Sequence, residues 1–177
     1  MRKLILLGVL TTVLLGASAS GASAATWSGT CHFSGKVIML DSPLTFRLEH
    51  HDFKIPGAGR CEGTLNGAPY SGPMTYLMDG RMNTPLSCAA GVSNDVPGAI
   101  TFGDDPRAVD APKVELVVSH IHFPSEALTT VTGAYNGHGW AHLHFPGNES
   151  TLVACAGPGV SEIDYEVDMN TITPLYG

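Results

Sequence analysis

From Trp27 onward, short stretches of β-branched and aromatic residues are separated by turn-forming residues every eight to twelve positions, the spacing of a sandwich or barrel. The pattern predicts strands over residues 27–40, 45–53, 60–65, 70–78, 81–89, 99–102, 114–123, 128–135, 138–145 and 160–169. Asn66-Gly67, Asp79-Gly80 and Asn136-Gly137 are the pairs that tight type I′ hairpins prefer, because both central residues need positive φ. Consecutive strands are therefore expected to pair as antiparallel neighbours. Residues 160–169 alternate most cleanly, with Ile163, Tyr165, Val167 and Met169 on one face and Glu162, Asp164, Glu166 and Asp168 on the other. One face is expected to be core and the other solvated. The acidic row lacks the glycine-centred spacing of a calcium loop and reads as a charged face that discourages edge association.

The expected fold is all-β, an antiparallel meander closing into a single barrel or a two-sheet sandwich of about 8–10 strands. Composition agrees, with 21 glycines and 12 prolines among 177 residues, which argues against a helical bundle or a doubly wound sheet. The longest loop expected is 103–112.

Residues 1–24 read as an export signal. A basic start, Met1-Arg2-Lys3, precedes an apolar run over 4–15, shorter than the ~20 residues a membrane-spanning helix needs. Ala22-Ser23-Ala24 then supplies the small-x-small pattern for cleavage before Ala25, and residues 25–177 form the expected secreted β domain. Processing removes Arg2 and Lys3, leaving seven basic and 16 acidic side chains, a balance of −9. A mildly acidic chain of this kind is a poor partner for nucleic acid or for an anionic membrane. No cysteine for lipid attachment stands at the cleavage junction.

Cys31, Cys61, Cys88 and Cys155 are even in number and too widely spaced for a metal knuckle or redox pair. Two disulfides are expected in an oxidising compartment, each contributing roughly 3 to 5 kcal/mol in the chain-entropy model. Three connectivities are open.

A repeat carries half of the eight histidines: Ser119-His120-Ile121-His122-Phe123-Pro124 and Ala141-His142-Leu143-His144-Phe145-Pro146. Each His-x-His puts both rings on one face of a strand. Tight hairpins would set Thr129 opposite both His122 and His144, and Val131 opposite both His120 and His142. The four imidazoles would then outline a rectangle of about 7 by 10 Å, a geometry suited to zinc or copper. With an open coordination position such a site would activate water, as in a metallo-hydrolase. Against this, the histidine face also carries Leu116, Val118, Val131 and Trp140, whereas Val117, Ile121, Phe123, Leu128, Leu143 and Phe145 on the other face look more like core. The favoured reading is therefore incidental surface or rim histidines, beside an exposed Thr129. His50 and His51 adjoin on opposite faces of their predicted strand.

The chain shows no nucleophile elbow, phosphate-binding loop or dinucleotide fingerprint, and Asp104-Asp105 reads as a turn former. The mature chain resembles small exported all-β proteins of actinobacteria in Gly29-Thr30-Cys31-His32-Phe33-Ser34-Gly35, Cys61-Glu62-Gly63-Thr64-Leu65, Ala154-Cys155-Ala156-Gly157-Pro158-Gly159 and Thr173-Pro174-Leu175-Tyr176-Gly177. That resemblance implies a secreted, disulfide-bearing β domain and supplies no catalytic residue. The expected protein is thus a non-enzymatic binding or cell-exterior protein, with a small ligand or an extracellular surface as partner and no cofactor. The alternative is a zinc or copper protein, extending to a metallo-hydrolase, that uses His120, His122, His142 and His144.

Overall fold

Much of the chain alternates inward apolar and outward polar residues with period two, and a sheet built from such strands buries one face by curling onto itself. The computed structural model describes residues 24–81, 86–88, 95–105, 107–108, 110–119 and 127–177. Its strands are β1 (Thr26–Met39), β2 (Asp52–Leu65), β3 (Ala68–Arg81), β4 (Val96–Phe102), β5 (Lys113–Ser119), β6 (Ala127–Gly133), β7 (His138–His144), β8 (Glu162–Thr171) and β9 (Leu175–Tyr176). Strands β1 to β8 run as an antiparallel meander, and β1 pairs with both β2 and β8, which closes an eight-stranded barrel. The extra strand β9 takes over from β8 along the start of β1, where Leu175 pairs with Trp27. Among the described residues a single helix, α1 (Asn148–Cys155), lies between β7 and β8.

The inward residues fill the barrel. Trp27 and Phe102 pack with ring centroids 4.9 Å apart near one end, and Phe33 and Tyr76 lie 5.0 Å apart further along. Tyr165 is also buried and donates its hydroxyl to the carbonyl of Pro56 at 3.0 Å. Gly57 admits that hydroxyl, since a Cβ there would lie 2.3 Å from it. The space left inside is about 30 Å³, bordered by side chains such as Phe33, Val118, Val131, Leu143 and Val167. It would hold about two waters and is far below the several hundred Å³ of a small-molecule pocket.

Cys31 pairs with Cys61 across the β1–β2 ladder, Cα atoms 4.1 Å apart, and Cys88 pairs with Cys155, which ties the 86–88 segment to α1. On β8, Ile163, Tyr165, Val167 and Met169 are buried and Glu162, Asp164, Glu166 and Asp168 are exposed, as their alternation predicts.

Several expected elements differ. The strand predicted over 60–65 begins at Asp52, because Pro56, Gly57 and Gly59 sit inside a strand rather than ending one. The strand expected over 45–53 is instead largely a connection, held by the Leu44–Val160 and Glu49–Leu86 bridges. Within the region 81–89, β3 ends at Arg81, Leu86 bridges to Glu49, and 82–85 and 89 lie outside the described residues. Asp79-Gly80 is part of β3 and not a turn. Gly80 pairs with Phe53 and lies under its ring, where a Cβ would come 2.6 Å from Phe53 Cζ. Asn66-Gly67 does form the expected turn, with φ of 53° and 79°.

Asn136-Gly137 breaks the hairpin expectation with larger effect. The Gly133 N–H donates to the Gly137 carbonyl, so residues 134–136 form the turn, and Thr129 pairs with Ala141 rather than with His144. That offset of three is odd, so it exchanges the faces of β7 relative to β6. In β5 and β6 the inward residues are Leu116, Val118, Thr129 and Val131, whereas in β7 they are Ala141 and Leu143. Thr129, expected to be exposed, is therefore buried and donates its hydroxyl to the Ser119 carbonyl, and Leu128, expected in the core, is exposed.

Candidate functional site

The closed barrel turns the even-numbered residues of β7, β8, β1 and β2 outward, and the ladder registers line them up in rows that cross four strands. In one row Trp140 stands opposite Asn170, Asn170 opposite Thr30, and Thr30 opposite Glu62. In the next, His142 stands opposite Asp168, Asp168 opposite His32, and His32 opposite Arg60. Between these rows lies a groove of about 350 Å³, with Trp140 on one side and Arg60 and Glu62 on the other. Its floor includes Thr30, Cys31 and Met169, above the Cys31–Cys61 bridge.

Trp140 is 36% exposed, whereas the other tryptophan, Trp27, is fully buried. His32 Nδ1 lies 2.8 Å from an Asp168 carboxylate oxygen, which engages that carboxylate within the wall of the groove. Among the described residues, the side chains of Trp140, Asn170, Arg60 and Glu62 make no hydrogen bond or ion pair with one another. Two outward positions further along β1 from His32, Lys36 makes an ion pair. Lys36 Nζ donates to Glu162 at 2.6 Å, and that hydrogen bond, with the charges of Glu162 and Asp164, holds the ammonium above its usual range.

Two other outer-wall grooves have different chemistry. One of about 410 Å³ over β3, β4 and β5 is lined by residues such as Leu77, Pro97, Ala99 and Val117, and one of about 510 Å³ by Leu40, Lys54, Asp79 and Pro97. Neither of these two contains an aromatic side chain.

Of the two histidine repeats, the described residues include the second, on β7. His142 and His144 point outward on β7, opposite Asp168 and Glu166, while His120 and His122 lie outside the described residues. Val131, the position expected to bridge the two copies, is buried and faces Val118 and Gly139. Among the described residues, no three His, Cys, Asp or Glu side chains are grouped to hold a metal ion. His51 leaves its predicted strand for the connection before β2. It is buried there, with Nδ1 3.4 Å from Asp41 Oδ1 and Nε2 without a hydrogen-bond partner among the described residues. Asp105 caps its own turn by accepting from the Arg107 N–H at 2.9 Å, as a turn former should.

Sequence reading did not single out Arg60, Glu62 or Asn170. Period-two alternation tells which way each points, but only barrel closure shows that β8, β1 and β2 lie side by side. No family model matches the chain, and neither a curated protein nor a solved structure is significantly similar to it.

Proposed function

We propose that this chain is exported, cleaved before Ala25 and released as a disulfide-bonded barrel that works through its outer wall, binding a small ligand or an extracellular surface. The observation that carries this reading is the contrast between a filled interior, with about 30 Å³ free, and a groove of about 350 Å³ outside that gathers polar groups around an exposed tryptophan. The two disulfides suit an oxidising compartment. Outward residues such as Thr30, His32, Ser34, Arg60, Glu62 and the β8 acids are polar, the reverse of the apolar outer band of a membrane barrel.

The test is to express the full chain in a secreting host and recover it from the medium. The expected product begins at Ala25, has no free thiol and co-sediments with washed cell envelope. A chain retained inside the cell with four free thiols would overturn the proposal.

A further inference from the structure

We propose that the groove walled by Trp140 and by Arg60 and Glu62 binds an uncharged pyranose saccharide. The inference rests on the outer-wall reading and names the ligand class of that site. Its ends are three strand spacings apart, about 14 Å along the wall, and its volume sits at the lower end of the small-molecule range. A pyranose ring has one face of C–H groups and a rim of hydroxyls. The indole of Trp140 offers an exposed apolar surface for the first. Asn170 and Thr30, next along the same row, supply donors and acceptors for the rim, and Glu62 and Arg60 supply an acceptor and a forked donor at the far end.

Charge sets the class more narrowly. Arg60 and Glu62 balance, and Asp168 is already engaged by His32 at 2.8 Å. No surplus of positive charge is therefore left to select an acidic saccharide, while several polar groups remain to read hydroxyls. Thr30 is small and leaves the middle of the row open, so a ring can lie between the two walls. Neither of the two grooves described beside it combines an aromatic surface with amide, carboxylate and guanidinium groups.

The oxidised protein should be screened on a glycan array carrying neutral, amino and acidic pyranose oligomers. Binding is then measured by calorimetry with cellotetraose, chitotetraose, maltotetraose and mannotetraose. Saturable binding of an uncharged saccharide is expected, weakened about tenfold or more by Trp140→Ala. Glu62→Gln should weaken it less, and Leu77→Ala, at an outward apolar site on β3 in a different groove, should leave it unchanged. Each variant is checked for an unchanged thermal midpoint, and Trp140→Phe should retain part of the affinity if Ala perturbs the fold.

No binding to any uncharged saccharide, or binding indifferent to Trp140→Ala and Trp140→Phe, overturns the inference. Envelope co-sedimentation separates the two levels of failure. Sedimentation that persists without saccharide binding leaves the outer-wall reading standing and removes only the saccharide. Loss of both removes both.

Discussion

The Tyr176 N–H donates to the carbonyl of Asn136 at 2.9 Å, linking the C-terminal strand to the turn between β6 and β7. Tyr135 N–H reciprocates to the Tyr176 carbonyl at 3.0 Å. With 135 and 136 used in this way the turn takes three residues rather than two, and the register of β7 shifts by an odd number. The direction in which His142, His144 and Trp140 face follows from that docking.

Gly137 makes the docking testable. Its φ is +89°, and a Cβ there would lie 1.8 Å from the Pro174 carbonyl oxygen. Gly67 also has positive φ, at +79°, but nothing lies within 4 Å of its Cβ position. Gly67→Ala should cost about 1–2 kcal/mol from left-handed backbone alone. Gly137→Ala should cost clearly more, with loss of β9 docking, and chemical denaturation of the two variants measures the difference.

Outward placement of His142 and His144 predicts that they do not complete a four-imidazole metal site with the other copy of the repeat. Protein purified without a histidine tag should show the same zinc and copper content by mass spectrometry before and after combined His142→Ala and His144→Ala substitution. Stoichiometric metal lost in the double variant would show that the repeat binds it by another arrangement.

The two disulfides close spans of 30 and 67 residues. In the chain-entropy model the longer span gives the larger stabilisation, by about 0.5–1 kcal/mol. Paired replacement of Cys88 and Cys155 by alanine should therefore lower the denaturation free energy somewhat more than paired replacement of Cys31 and Cys61. Reduction of both should lower the thermal midpoint sharply.

Burial holds the Tyr76 hydroxyl far above the usual tyrosine range, with Tyr165 adding to the shift, and burial also raises Tyr165. The fold favours the neutral phenols, so their contribution to stability is complete below the unfolded value near 10 and is lost as pH rises beyond it. Two of the five tyrosines should ionise only together with unfolding, followed by ultraviolet difference absorbance and circular dichroism in parallel. Titration of all five while the native dichroism persists would contradict this.

The sequence carries much of the barrel but little of the site. Period-two alternation shows the inward and outward faces of β8, and Asn66-Gly67 marks its hairpin, because both are local properties of the chain. Helix α1 escapes notice because Asn148–Cys155 lacks an apolar stripe, and β9 escapes because two residues carry no period. The β6–β7 register is hidden because it depends on Tyr176, forty positions from Asn136. The groove joins residues near 31, 61, 140 and 169, which become neighbours only when β1 closes the barrel.

The central claim is that the interior is core and the outer wall is the working surface. It is tested most directly by titrating laurate, a single-chain apolar ligand, into the oxidised protein and following backbone amide chemical shifts. The account predicts no saturable shift at inward Leu116, Val131 and Val167, because about 30 Å³ cannot accept an alkyl chain. One equivalent of laurate taken up with saturable shifts at those residues would contradict it.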